Sequence, residues 1–227
     1  MTDIKKNLDV VRERIAQAAS RAGRQPGEVT LVAVSKRHPS TAIREAYLAG
    51  QRHFGENYAQ ELRDKAQELG DLPDVSWHFI GHLQRNKTKY VVPHASLLET
   101  VDSVRLVEAA ARQAERFGRE VACLVQVNVG GEAQKSGCSR AEAEGLLQAV
   151  EQTDGIVLKG LMTIPPWDLV AEETRKYFSS LRQLRDTLGG EGRLPHLSMG
   201  MSHDFEQAIE EGATFVRVGT AIFGPRS

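Results

Sequence analysis

Apolar residues along this chain follow two alternating patterns. One recurs at helical spacing, and the other runs unbroken for the length of a strand. Ile4, Leu8, Val11, Ile15 and Ala18 share one helical face with charged residues between them, which predicts an amphipathic opening helix ending near Gly23. After a break at Pro26-Gly27 comes Thr30-Leu31-Val32-Ala33-Val34-Ser35-Lys36, too short for a helix and rich in β-branched residues. It reads as a buried strand that ends in a lysine. Ser40, after Pro39, is placed to N-cap a second helix, which Gly50 closes. Residues 52–57 form a short second strand with the polar end Gly55-Glu56-Asn57, and a one-sidedly charged helix follows over about 58–69. Pro73 ends that connection, 75–81 reads as the third strand, and 82–87 as a loop running into a short helix.

The alternation continues to the end. Residues 96–101 form the fourth strand, and Asp102-Ser103 is placed to cap a helix with the apolar face Leu106, Val107, Ala110 and Ala114. The fifth strand, 121–129, is very apolar, and a loop from Gly130-Gly131 through Lys135-Ser136-Gly137 follows it. Ser139 and Glu142 have capping-box spacing and open the next helix. The sixth strand, 156–164, stops at Pro165-Pro166, and a helix with Tyr177, Leu181, Leu184 and Leu188 on one face runs to Gly189-Gly190. Residues 196–202 are the seventh strand and its exit, a short helix runs from Asp204 to Gly212, and 215–220 is the eighth strand.

Strands alternating with helices predict parallel pairing through helical crossovers. Eight repeats in 227 residues predict one domain, an α/β fold closed into a (β/α)8 TIM barrel, a fold that takes ~250 residues. A doubly wound open sheet is the competitor, but no Gly-x-Gly-x-x-Gly follows the first strand to support its dinucleotide-binding version. No linker or shift of composition divides residues 1–227.

Composition narrows the function classes. With 41% hydrophobic and 26% charged residues and a net charge of -1, the chain has ordinary globular composition and no charge excess for nucleic acid or an acidic membrane surface. Apolar runs are strand-length, so no membrane span is expected, and the segment Met1-Thr2-Asp3-Ile4-Lys5-Lys6 has no apolar signal region. Cys123 and Cys138 make neither a disulfide framework nor a metal spacing, which fits a reducing cytoplasm. His78 and His82 straddle a strand end and a glycine, so they share no helical face for a metal. The basic run at 85–89 reads as a solvated face or an anion contact rather than an RNA site.

In such a barrel, chemistry sits at the C-terminal strand ends. The candidates there are Lys36, Asn57, His78, Met162, the segment from Ser198 and Met199 to Ser202, and Arg217, Gly219 and Thr220. A lysine closing a buried strand either snorkels to the surface or offers an amine in a dry pocket. Loops after the seventh and eighth strands often bind phosphate. Ser202 and Gly219-Thr220 each precede a helix start, where N–H groups and hydroxyls suit an anion. Gly219 is read equally well as a simple turn. An amine facing an anion site across the mouth points to pyridoxal 5'-phosphate, which needs both, and a partner for its ring nitrogen. The attacking amine must be uncharged, so burial and nearby positive charge must lower its pKa. Arg217 is placed to meet the ring nitrogen, although taken alone it reads as a strand-end salt bridge.

These residues closely resemble the YggS/PROSC family of pyridoxal-phosphate-binding homeostasis proteins, itself similar to the N-terminal barrel of alanine racemase. The resemblance spans nearly the whole chain. It rests on Val32-Ala33-Val34-Ser35-Lys36, Phe54-Gly55-Glu56-Asn57-Tyr58, Trp77-His78-Phe79-Ile80-Gly81, Gln84 with Asn86-Lys87, and Lys135-Ser136-Gly137. It also rests on Gly160-Leu161-Met162, Leu197-Ser198-Met199-Gly200-Met201-Ser202 with Asp204, and Arg217-Val218-Gly219-Thr220 with Phe223-Gly224. The resemblance implies that Lys36 carries the cofactor as a Schiff base, that Ser202, Gly219 and Thr220 hold its phosphate, and that Arg217 faces its ring nitrogen. It implies that Asn57, His78, Met162, Ser198 and Met199 line the ring pocket, with core packing the other reading of His78 and Met162.

It also implies homeostasis of the cofactor, by storage or delivery to apo forms of pyridoxal-phosphate enzymes, rather than an established reaction. An arginine beside the ring nitrogen leaves it unprotonated and the ring a weaker electron sink. Alanine racemase adds a tyrosine base from a second domain. Here the sequence stops after the eighth strand, and Tyr47, Tyr58, Tyr90 and Tyr177 fall in or at the starts of predicted helices. A weak racemase-like enzyme is the alternative, and a cofactor-free Schiff-base lysine enzyme a third reading.

Overall fold

A computed structural model describes residues 2–131, 136–166 and 168–225 of the chain. Met1, and Lys135 of the motif Lys135-Ser136-Gly137, lie outside the described residues. The strands are β1 (Thr30–Val34), β2 (His53–Glu56), β3 (Ser76–Phe79), β4 (Leu97–Val101), β5 (Val121–Gln126), β6 (Ile156–Met162), β7 (His196–Ser198) and β8 (Phe215–Val218). Between and around them run α1 (Ile4–Arg21), α2 (Ser40–Leu48), α3 (Ala59–Glu68), α4 (Thr88–Val91), α5 (Val104–Arg116), α6 (Arg140–Glu151), α7 (Ala171–Thr187), α8 (Gly190–Arg193), α9 (Phe205–Glu210) and α10 (Thr220–Phe223).

Every strand pairs in parallel with the next. β8 closes on β1 in a register from Thr30 opposite Phe215 to Ala33 opposite Val218. The result is the closed (β/α)8 barrel expected from eight alternating repeats.

Side chains on a strand alternate between two faces, so this barrel has two apolar compartments. One face meets the helices. The other fills the barrel interior with Val32, Leu97, Leu124, Met162 and Phe215 as a separate cluster. The opening helix packs as its pattern predicts, burying Ile4, Leu8, Val11, Ile15 and Ala18. Among the described residues, no helix is long and apolar enough to cross a membrane.

Local readings of the sequence differ at several points, and β1, β2, β3 and β8 are each shorter than the runs that predict them. Pro39, not Ser40, occupies the N-cap of α2, and the Ser40 hydroxyl donates instead to Glu68 Oε2 at 2.7 Å. Ser103 is the N-cap of α5 but makes no side-chain capping bond. On α7 the buried aromatic is Phe178 rather than Tyr177, because the face against the barrel is set by Thr174, Phe178, Leu181, Leu184 and Arg185. β5, β6 and β7 stop at Gln126, Met162 and Ser198, earlier than their apolar runs, because the chain leaves the ladder to build the barrel mouth. The capping box of α6 forms as predicted: Ser139 N–H donates to Glu142 Oε2 at 2.9 Å, and Glu142 N–H donates to Ser139 Oγ at 3.3 Å.

Candidate functional site

The C-terminal ends of the strands surround a pocket of about 240 Å³. Lys36, Asn57, Ser202, Arg217, Gly219 and Thr220 all lie on its wall. These six are scattered along the sequence, and the barrel register brings them together. Lys36, half-buried, continues the inward parity of Val32 and Val34 one step beyond β1. Asn57 does the same beyond β2, and Gly219 beyond β8. Ser202 comes after the turn that leaves β7.

The other four predicted residues lie below or behind the pocket wall. Met162 packs in the barrel interior with Val32, Leu124 and Phe215. Met199 belongs to the cluster between barrel and helices, because Ser198 takes the inward position and its neighbour must face out. His78 and Ser198 are buried in a polar chain that crosses the interior. The residues that replace them on the pocket wall are Ile80, Ile164 and Met201. Two of these obey a parity the sequence contains, since Ile80 and Ile164 stand two positions beyond His78 and Met162.

The buried polar chain starts at Arg217, which is 3% exposed. Its Nη2 donates to the Thr163 carbonyl at 2.9 Å and its Nη1 to Ser198 Oγ at 2.5 Å. Ser198 Oγ donates in turn to Glu99 Oε2, also at 2.5 Å. Glu99 Oε1 lies 2.7 Å from His78 Nδ1, and His78 Nε2 lies 3.0 Å from His53 Nδ1. A continuous hydrogen-bonded chain therefore joins the mouth to the start of β2. Burial pulls the Arg217 guanidinium below its ordinary value, and Glu99 and Asp204 oppose that. Burial pushes the Glu99 carboxyl up, but His78, Arg217 and Ser198 together outweigh it and hold the group below the usual range. The interior is thus charge-paired, with a cation at the pocket end.

Anion-binding groups meet where β8 ends against β1, beside the strand end that carries Lys36 rather than across the mouth from it. Gly219 N–H donates to Ser202 Oγ at 3.2 Å. A Cβ on Gly219 would stand 3.2 Å from the Val34 carbonyl, so glycine lets this backbone lie against β1. Asn57 Oδ1 is buried with no hydrogen-bond partner and belongs to a residue of the pocket wall. A buried acceptor without a partner is rare, and this one belongs to a residue that borders the pocket. Amine, cation, unpaired amide, paired N–H and hydroxyls are the groups an aromatic aldehyde phosphate requires, and the residues present fit it.

Comparison with known proteins agrees with the geometry. The family described as "Alanine racemase, N-terminal domain" matches residues 6–227. A pyridoxal phosphate homeostasis protein of Pseudomonas aeruginosa is 45% identical over 228 residues, covering 100% of this chain and 97% of that protein. The protein of the same name from Escherichia coli K12 is 45% identical over 233 residues, covering 100% and 98%. PipY of Synechococcus elongatus, solved with the cofactor bound, superposes with a TM-score of 0.80 at 42% identity, covering 92% of this chain and 100% of that one. An alanine racemase of Clostridium difficile, at 14% identity and TM-score 0.74, covers 98% of this chain and 56% of its own, and shares the fold.

Proposed function

The chain belongs to the pyridoxal phosphate homeostasis proteins, within the alanine racemase N-terminal domain family, and we propose that its barrel mouth binds pyridoxal 5'-phosphate through Lys36. In this reading Lys36 supplies the amine that condenses with the aldehyde. Ser202, Gly219 and Thr220 take the phosphate, and Arg217 meets the ring nitrogen. Asn57 offers its unpaired oxygen to a donor on the ring's edge. Met162, His78, Ser198 and Met199 act from beneath, as packing or as supports of Arg217. Bound cofactor brings an electrophilic aldehyde on a ring that withdraws electrons.

Arg217 restricts the chemistry open to that ring. A guanidinium does not give up its proton readily, so the ring nitrogen it faces stays unprotonated. Tyr58, the tyrosine nearest Lys36 along the chain after Tyr47, holds its hydroxyl against Arg37 Nη2 at 3.1 Å, and no tyrosine lines the pocket among the described residues. Both observations support holding and releasing the cofactor over two-base turnover. The physiological role is then storage, and delivery to apo forms of enzymes that use it.

One observation carries the reading: Lys36 shares a single pocket with the Gly219 backbone and the Ser202 hydroxyl. Borohydride reduction of the protein incubated with pyridoxal 5'-phosphate, then peptide mapping, tests it. The pyridoxyl label is expected on the peptide carrying Lys36 and absent from Lys36→Ala. A label spread over surface lysines, or unchanged in Lys36→Ala, overturns it. Transfer from the loaded protein to an apo-enzyme tests delivery.

A further inference from the structure

The groups that hold Lys36 lie on the other side of the barrel wall. Glu56 on β2 faces outward, as Asn57 after it faces inward, and it is fully buried against α3. Lys65 of α3, with 7% of its side chain exposed, points at it. Lys65 Nζ donates three hydrogen bonds, each of 2.7 Å: to Glu56 Oε1, to Glu61 Oε1 and to the Ser35 carbonyl. An ammonium has three donors, so all are used. Glu61 Oε1 also accepts the Arg37 backbone N–H at 2.6 Å. The Ser35 hydroxyl donates to Glu56 Oε1 at 2.7 Å.

The geometry has a specific target. The Ser35 carbonyl belongs to the peptide group before Lys36 Cα, and the Arg37 N–H to the one after it. The network therefore grips both peptide planes that flank Lys36, and leaves its side chain pointing away from the grip, into the pocket. Arg37 is the one described non-glycine residue with a positive φ, +62°. A side chain with a Cβ adopts that conformation only where its surroundings hold it. Here Glu61, itself fixed by Lys65 four residues on, holds the Arg37 N–H. It acts beside the turn's own bond from the His38 N–H to the Ser35 carbonyl at 3.0 Å and the Arg37 side chain's bond to the Tyr58 hydroxyl.

We propose that Lys65 and Glu61 are positioning residues for Lys36, fixing the turn 35–37 so that its amine enters the pocket in one direction. The inference rests on the reading of Lys36 as the attachment amine. It adds that α3, which lines no part of the pocket, sets how fast that amine reacts.

Glu61→Ala removes the acceptor for the Arg37 N–H, whereas Glu61→Gln keeps one. In Glu61→Ala, borohydride-trapped labelling of Lys36 by pyridoxal 5'-phosphate is expected to slow by roughly tenfold or more, as misdirection of a reacting group does. Glu61→Gln is expected to restore most of that rate. Pyridoxamine 5'-phosphate, which has no aldehyde, is expected to bind both variants as it binds the wild type. Amide hydrogen exchange supplies a second readout that needs no variant: the Arg37 N–H, on an exposed residue, is expected to be protected in the wild type. Labelling of Glu61→Ala at the wild-type rate overturns the proposal, as does an unprotected Arg37 amide. Equal losses of labelling and of pyridoxamine phosphate binding also overturn it, since the role would then be structural. A wild type that takes no label on Lys36 instead overturns the proposed function, and the exchange result still judges the clamp.

Discussion

Arg217 and Glu99 stand 3.7 Å apart inside the barrel, and the hydroxyl of Ser198 joins them, accepting from the first and donating to the second. All three are buried. Ser198→Ala removes both bonds and leaves the charges to face each other across the gap. Loss of a buried bridging hydroxyl is expected to cost about 1–3 kcal/mol. Glu99→Gln is expected to cost more, roughly 3–5 kcal/mol, because it takes from a buried guanidinium the carboxylate 3.7 Å away and leaves only Asp204 to offset its burial. Urea unfolding of the two variants checks the order. An equal cost for both places the stabilisation in the hydroxyl rather than in the ion pair.

His53 ends the same chain, and burial, with the neighbouring His78, lowers its pKa to about 4 while Glu99 opposes the shift. A histidine whose folded value is depressed is protonated more readily in the unfolded chain. Its contribution is therefore full above the ordinary value of about 6.5, and is lost as pH falls through that value toward 4. Thermal unfolding between pH 7 and pH 4 is expected to show a fall in stability that His53→Asn reduces. A variant whose acid limb matches the wild type removes His53 from the chain's electrostatics.

Features set by local pattern were legible in the sequence, and features set by register were not. The barrel was legible because alternating strand and helix patterns are local, and eight of them leave few topologies. Lys36, Asn57 and the Ser202 and Gly219-Thr220 groups were legible because strand ends are recognisable and the fold places strand ends together. Depth within the barrel was hidden. Whether position 78 or 80, or 162 or 164, reaches the pocket depends on the register between strands, and strand β3 is paired with β2 and β4 by hydrogen bonds that a lone sequence does not display. Glu99 carried no signal, since a carboxylate in the middle of Leu97-Leu98-Glu99-Thr100-Val101 makes sense only once Arg217 and His78 stand across from it. The Lys65 grip was hidden for a similar reason: a helix with charges on one side reads as solvated until one of its lysines is seen to be buried.

Glu56 predicts a second pH dependence, with the opposite sign. Burial raises its pKa to about 7, although Lys65 and the Ser35 hydroxyl pull it down. A carboxyl with a raised folded value ionises more readily in the unfolded chain. Its contribution is full below the unfolded value near 4.5 and is gone once pH has risen through about 7. The whole change is of order 3 kcal/mol. Glu56→Gln is expected to flatten that limb in melts taken from pH 4.5 to pH 8, and to leave the acid loss assigned to His53. A limb that persists in Glu56→Gln assigns it to another group.

Gly81 presses on the backbone of Asn57. An added Cβ at position 81 would stand 2.1 Å from the Asn57 carbonyl oxygen, with the Asn57 carbonyl carbon and Cα also inside 3.0 Å. The glycine is also tied in place, because its own carbonyl accepts the buried Thr100 hydroxyl at 2.6 Å. Gly81→Ala must therefore push Asn57 off the pocket wall or break the Thr100 bond. Overpacking of this kind costs about 1–3 kcal/mol. It is also expected to weaken cofactor binding, because Asn57 forms part of the pocket wall. Thr100→Val frees the Gly81 carbonyl to move. Adding it to Gly81→Ala is expected to recover part of the binding loss, so that the double variant loses less than the sum of the singles. Strict additivity in a titration with pyridoxamine 5'-phosphate separates the two residues and leaves Asn57 held by something other than this contact.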